Sequence, residues 1–164
     1  MDHKKQYRLL RYIEDDAHIS HKALANALEE DVETVSATIA ELEELGIISG
    51  YKTMINWDAT ESDYVSAMIE VSVNLHKGAS YEEVAEMMYR FKEVEALYLT
   101  SGAYDYMLLT KRAPMQQISR FVNKLASIDE VSGTATHIVM NRYKDHGTIF
   151  ESKLKDGERL VISQ

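Results

Sequence analysis

Cysteine is absent from this chain of 164 residues, and proline occurs once, at Pro114. Without cysteine no disulfide staples the fold and no thiolate holds a metal. No apolar run reaches the ~20 residues that a membrane-spanning helix needs. The opening MDHKKQYRLL lacks the apolar core of a secretory signal. A cytoplasmic location and no membrane partner are expected. Basic residues are also few, at 18 Lys and Arg against 27 Asp and Glu, a net charge of −9. Such a chain has no general attraction to nucleic acid.

What is present fits two small domains better than one large one. Residues 1–60 hold 6 basic and 12 acidic residues, a net of −6, and residues 61–164 hold 12 and 15, a net of −3. In the first part Tyr7, Leu10 and Ile13 recur at helical spacing behind Asp2, an N-cap residue type. Lys4, Arg8 and Arg11 fall on another face, which reads as solvated surface ahead of a DNA-backbone contact. Ser20 caps a second helix whose buried face is Ala23, Leu24 and Leu28. After a turn at Glu29, Glu30 and Asp31, a third helix starts with Asp31 as its cap. Glu33 in its first turn suits the helix dipole. Val32, Val35, Ile39, Leu42 and Leu45 form one apolar stripe, and Gly46 stands where a left-handed C-cap belongs. IISGYKTMI then has strand character. Three helices with a short turn between the last two, then a strand pair, predict a winged helix-turn-helix. A three-helix unit that merely packs is the alternative.

The third helix would present Glu33, Thr34, Ser36, Ala37, Thr38 and Glu41 away from its apolar stripe. Lys22, Thr34, Ser36, Ala37, Thr38 and Lys52 are the candidate contacts to double-stranded DNA. Thr and Ser can meet phosphates or base edges, whereas Glu accepts from cytosine but repels phosphate. Residues 31–46 contain no Lys or Arg. Phosphate attraction must therefore come from Lys22, Lys52, the basic stripe of the first helix, or several copies acting together.

The polar segment 56–64, NWDATESDY, reads as a linker. Beyond it the pattern strand, helix, strand occurs twice. Val65, Ala67, Ile69, Val71 and Val73 alternate in the first strand. Ser80 and Glu83 make a capping box before Val84, Met87, Met88 and Phe91. A strand follows at 94–101, then another at 104–112. Pro114 opens a helix with Ile118, Phe121, Val122 and Leu125 inward, and 131–143 is the last strand. Two such halves predict a ferredoxin-like βαββαβ domain over 65–147, and hence an α+β fold for the chain. Residues 1–55 make the first domain and 148–164 a tail, in which RLVIS has strand character. In the two middle strands Ala96 and Tyr98, like Leu97 and Leu99, are apolar, as are Met107 and Leu109 on one side and Tyr106 and Leu108 on the other. Two helices can cover one sheet face only. The remaining apolar face predicts a homodimer.

Three stretches resemble the Lrp/AsnC, or feast/famine, family of transcription regulators. LEELGIISGYKTMIN (42–56) is similar to the end of that family's reading helix and wing. LTSGAYDYMLL (99–109) carries a Gly-x-Tyr-Asp-Tyr signature, and VSGTATHIVMNRYKDHG (131–147) is similar to its last core strand. The resemblance spans about residues 5–147. It implies DNA binding by the N-terminal domain and sensing of a small-molecule effector, typically an amino acid, by the C-terminal one. It also implies dimers, often assembled into octamers. The implied effector site is Ser101, Gly102, Ala103, Tyr104 and Asp105, faced by Thr134, Thr136 and His137. Asp105 can accept from a ligand ammonium, or serve as an ordinary turn residue bonding backbone. The acidic third helix departs from the family pattern and keeps open a second reading, an effector sensor or partner subunit that does not bind DNA. Of the six histidines only His18 and His21 are close, flanking a helix start, and no zinc spacing, phosphate loop or nucleophile elbow is present. No enzyme activity, catalytic residue, metal or cofactor is expected.

Overall fold

A computed structural model describes residues 1–60, 62–76 and 78–150. The RLVIS segment expected to form a strand lies outside the described residues. The chain divides into two units, Met1–Ile55 and Asn56–Gln164. No helix among the described residues is long and apolar enough to cross a membrane.

The first unit holds helices α1 (His3–Asp15), α2 (His21–Leu28) and α3 (Val32–Glu44). Each begins on a side-chain cap. Asp2 accepts from the N–H of Lys5, Ser20 from that of Ala23, and Asp31 from that of Thr34. These bonds satisfy backbone donors that have no partner in the first turn. The turn between α2 and α3 closes with Glu29 at φ 54°. Helix α3 ends in a Schellman arrangement: Ile47 N–H donates to Leu42 O at 2.9 Å and Gly46 N–H to Glu43 O at 3.0 Å, with Gly46 at φ +69°.

The core of this unit is Leu9, Leu24, Ala25, Leu28, Val35, Ile39 and Leu42, and it corrects several expected positions. In α1 the buried residue is Leu9, with Leu10, Tyr12 and Ile13 packed beside it, whereas Tyr7 is exposed. Tyr7 precedes Leu9 by two residues, about 200° around a helix, and so faces away. In α2 Ala25, not Ala23, joins Leu24 and Leu28 inside. In α3 the buried series is Val35, Thr38, Ile39 and Leu42, the last three lying 3, 4 and 7 positions after the first, while Val32 and Leu45 at its ends are exposed. The expected wing forms no strand over residues 47–56. Ile48 packs on the core, and Tyr51 Oη donates to Glu43 Oε1 at 2.8 Å, so the segment folds back on α3 without a partner strand.

The second unit is a four-stranded antiparallel sheet in the order β2-β3-β1-β4. Its strands are β1 (Ala67–Val73), β2 (Val94–Leu99), β3 (Tyr106–Thr110) and β4 (Val131–Ile138), and its helices are α4 (Tyr81–Tyr89) and α5 (Met115–Ala126). This is the expected split βαβ arrangement. The capping box at Ser80 and Glu83 is formed, and Pro114 is the residue before α5. A two-residue hairpin, β5 (Lys144–Asp145) and β6 (Thr148–Ile149), follows β4. The expected linker is partly attached to this unit. Trp57–Ala59 forms a 3-10 turn, Arg112 pairs with Asp58 at 2.7 Å, and Val65 bridges Ala113.

Both helices pack on one side of the sheet. Ala67, Ile69, Val71, Tyr106 and Leu108 meet Val84, Met88, Ile118, Phe121 and Leu125 there. Phe121 and Phe91 stack edge to face at 5.6 Å. Met87, expected inside, is exposed. Replacing Phe121 by Ala removes a side chain that is 1% exposed, and is expected to destabilise this unit by about 3–5 kcal/mol. Met87→Ala should cost less than about 1 kcal/mol. Denaturant unfolding of the two variants measures the difference, and equal costs would contradict this packing.

Candidate functional site

Most of the residues singled out for function lie in two places, α3 in the first unit and the turn between β2 and β3 in the second.

Along α3 the exposed stripe is Glu33, Ala37, Ala40, Glu41 and Glu44. Ala37 lies on it, and Thr34 and Ser36 flank it half-buried. Thr38 does not belong there. It is 5% exposed, and its hydroxyl donates to Thr34 O at 2.8 Å, which satisfies the polar group while its methyl fills the core. Thr34 Oγ1 is itself committed to Asp31 Oδ2 at 2.8 Å. Those contacts from Thr34, its N–H first and then its hydroxyl, hold the Asp31 carboxyl below its ordinary pKa. Ser36 Oγ lies 2.8 Å from His21 Nδ1, a link between α2 and α3 that the sequence spacing had not marked. Lys22 is exposed at the start of α2, and Lys52 is exposed beyond α3. The stripe of α1 is largely occupied. Arg8 donates to Ala27 O at 2.9 Å and Arg11 pairs with Glu14 at 2.7 Å, while neighbouring Lys5 pairs with Glu30 at 2.7 Å. Few cations therefore surround an acidic α3.

In the second unit the turn 101–105 projects from one end of the sheet. Thr100 N–H donates to Asp105 O at 2.8 Å across its base, and Thr100 Oγ1 donates to Tyr104 O at 3.0 Å. Gly102 has φ +155°, a conformation that side chains disfavour. The N–H groups of Ser101, Gly102, Ala103 and Tyr104 make no hydrogen bond among the described residues. Four successive donors of this kind can receive a carboxylate.

Asp105 plays a part that spacing did not disclose. Strand β3 begins at Tyr106, so Val73 N–H at the end of β1 has no carbonyl opposite it. Asp105 Oδ2 supplies the acceptor at 2.8 Å. Its other oxygen accepts from Tyr81 Oη, at the start of α4, at 3.2 Å. That bond raises the Tyr81 pKa, because ionising the phenol would set two negative charges together. Tyr106 Oη donates to Tyr81 O at 2.6 Å, and burial pushes the Tyr106 pKa up to about 12.

The remaining candidates do not converge on this turn within one chain. Antiparallel partners share a sheet face. Thr134 pairs with Val71 and Thr136 with Ile69, so both lie on the helix-covered side. His137 pairs with Met68 and lies on the open side, with its Nε2 3.2 Å from Glu70 Oε1. Strand β1 also separates β4 from β3, placing them about 10 Å apart. The open face itself gathers Ala96, Tyr98, Met107, Leu109 and Met68 through the pairs Ala96–Leu109, Tyr98–Met107 and Met68–Leu109. No group of three or more His, Asp or Glu residues suited to a metal occurs among the described residues.

Residues 66–149 match a family model described as the Lrp/AsnC ligand binding domain, and residues 3–55 match one described as HVO_A0114. The chain is 35% identical over 162 residues to YugG of Bacillus subtilis, described as an uncharacterized HTH-type transcriptional regulator, covering 98% of this chain and 97% of that one. It resembles the crystal structure of the Mycobacterium tuberculosis leucine response regulatory protein LrpA, with TM-score 0.73 and 20% identity over 89% of this chain and 97% of that one. The transcriptional regulator NMB0573 of Neisseria meningitidis, solved as a complex with L-Met, has TM-score 0.68 and 20% identity over 92% and 97%.

Asp105→Ala leaves Val73 N–H without its acceptor and is expected to destabilise the second unit by about 1–2 kcal/mol. It should also return the Tyr81 phenol toward its ordinary pKa. Thermal unfolding and ultraviolet titration test the two effects together, and an unaltered stability would remove Asp105 from the sheet.

Proposed function

Since the chain belongs to the Lrp/AsnC family, we propose that it is a DNA-binding transcription regulator that responds to an amino acid and has no enzymatic role. The observation that carries this reading is the joining, in one chain, of a helix-turn-helix unit to a split βαβ unit that matches the family's ligand-binding domain. DNA is met by the outer face of α3, through Thr34, Ser36 and Ala37, with Lys22 and Lys52 toward phosphates. A DNA partner agrees with a cytoplasmic location. The effector is received at 101–105, its carboxylate on the turn N–H groups and its ammonium at Asp105. His137, on the open face, then belongs to the site through a second copy of the chain rather than the same one, whereas Thr134 and Thr136 lie on the opposite face of β4. The complex of NMB0573 with L-Met supports an amino acid as the ligand class.

One feature favours the second reading, a sensor or partner subunit that leaves DNA alone: the outward stripe of α3 carries Glu33, Glu41 and Glu44 and no cation. Gel-shift assays with the region upstream of its own gene, at several salt concentrations, separate the two. Regulator function predicts a site-selective shift that weakens with salt. No shift at micromolar protein, with or without amino acids, selects the sensor. A thermal-shift screen of the twenty amino acids tests the effector, since a ligand of the native state raises the unfolding midpoint.

The open face of the sheet is the dimer surface in this reading, with larger assemblies built from the dimers. Met107 sits near its middle, between Tyr98 and Glu70 in the register. Met107→Asp places a charge there and is expected to convert the dimer to a monomer of unchanged circular dichroism. Sedimentation showing the wild-type mass for this variant would refute the assignment.

A further inference from the structure

The two hydrogen bonds of the Asp105 carboxylate differ in kind. Val73 N–H belongs to the sheet, and its bond to Oδ2 is short, 2.8 Å, and partly buried. The Tyr81 hydroxyl is a side-chain tip, and its bond to Oδ1 is longer, 3.2 Å, and exposed. The main chain of Tyr81 is anchored separately. Its carbonyl accepts from Tyr106 Oη at 2.6 Å, and the two rings meet edge to face at 6.1 Å. Ser80 further caps the helix that Tyr81 begins, through the N–H of Glu83. Tyr81 can thus release Oδ1 by a turn of its own side chain, without moving α4, while Val73 keeps the carboxylate in place.

We infer that the Tyr81 hydroxyl is an internal competitor for the ligand's ammonium group, holding Asp105 Oδ1 until an ammonium displaces it. This rests on the reading of 101–105 as the effector site and adds a residue that sets its affinity and its selectivity for amines. An ammonium donates to carboxylate with a charge-assisted bond at about 2.7–2.9 Å, stronger than a neutral hydroxyl does at longer range. The exchange therefore runs toward the ligand, but every amine must first overcome the Tyr81 bond. A ligand with a carboxylate and no amine meets the turn N–H groups only and encounters no such competition.

Tyr81→Phe keeps the ring and its contact with Tyr106 and removes the competing hydroxyl. Calorimetric titration of wild type and variant with the twenty amino acids, and with the deaminated counterparts of leucine and methionine (4-methylpentanoate and 4-(methylthio)butanoate), tests the inference. Amino acids that bind should bind the variant about three- to tenfold more tightly, the size of one hydrogen bond, and the deaminated acids equally to both proteins. Equal or weaker amino-acid binding to the variant overturns the competition and leaves the turn as effector site. A parallel gain for the deaminated acids overturns it as well, since the hydroxyl would then guard the turn and not Oδ1. If no amino acid binds either protein, the effector site itself falls, and the competition with it.

Discussion

Two helices can cover one side of a four-stranded sheet, and in this protein β2 and β3 carry apolar residues on both sides. Much of the second unit follows from that mismatch. The side under α4 and α5 buries Ile69, Val71, Tyr106 and Leu108, and hydrophobic burial at about 25 cal/mol per Å² makes it the thermodynamic centre of the unit. The other side sets Met68, Tyr98, Met107 and Leu109 toward solvent. A surface of that kind is stable in water only at a cost that association removes. The packed core on one face and the apolar residues left on the other thus come from the same strands, divided by the alternation of the pleat.

The end of the sheet has a different economy, based on hydrogen bonds. Where β3 gives way to the turn, the ladder loses an acceptor for Val73, and Asp105 replaces it. The same carboxylate reaches Tyr81, so one side chain ties β1, the turn and the start of α4 together. Just beyond it lie the four peptide N–H groups of 101–104. The acidic group beside those donors owes its fixed position to serving the sheet.

The first unit shows how capping and packing can build a reading helix with little electrostatic support. Asp31 both starts α3 and adds to its negative charge, and Glu29, Glu30 and Glu33 lie nearby. Several cations of α1 and its surroundings are spent within the unit, as in the pairs Lys5–Glu30 and Arg11–Glu14. Exposed pairs contribute little stability, but they lower the positive field available to phosphate.

The sequence by itself determined most of the elements, the wing strands expected after α3 excepted. Caps at Asp2, Ser20, Asp31 and Ser80, the glycine that ends α3, and the apolar periodicities of β1, α4 and α5 are local signals, each within a few residues of what it specifies. The order of those elements determined the βαββαβ topology. What only tertiary structure decided was rotation and partnership. Tyr7 and Leu9 differ by two residues and face opposite ways, and the neighbours of α1 selected Leu9. Thr38 looked like a polar contact residue and became core, because the carbonyl of Thr34 one turn earlier satisfied its hydroxyl. Thr136 and His137 are adjacent in sequence, yet pairing with β1 sends them to opposite faces. The bond from Val73 to Asp105 spans 32 positions, and spacing carries no information over that distance. Local periodicity fixes which residues form a helix or strand; the packed neighbours fix which side of it meets the core, solvent or a ligand.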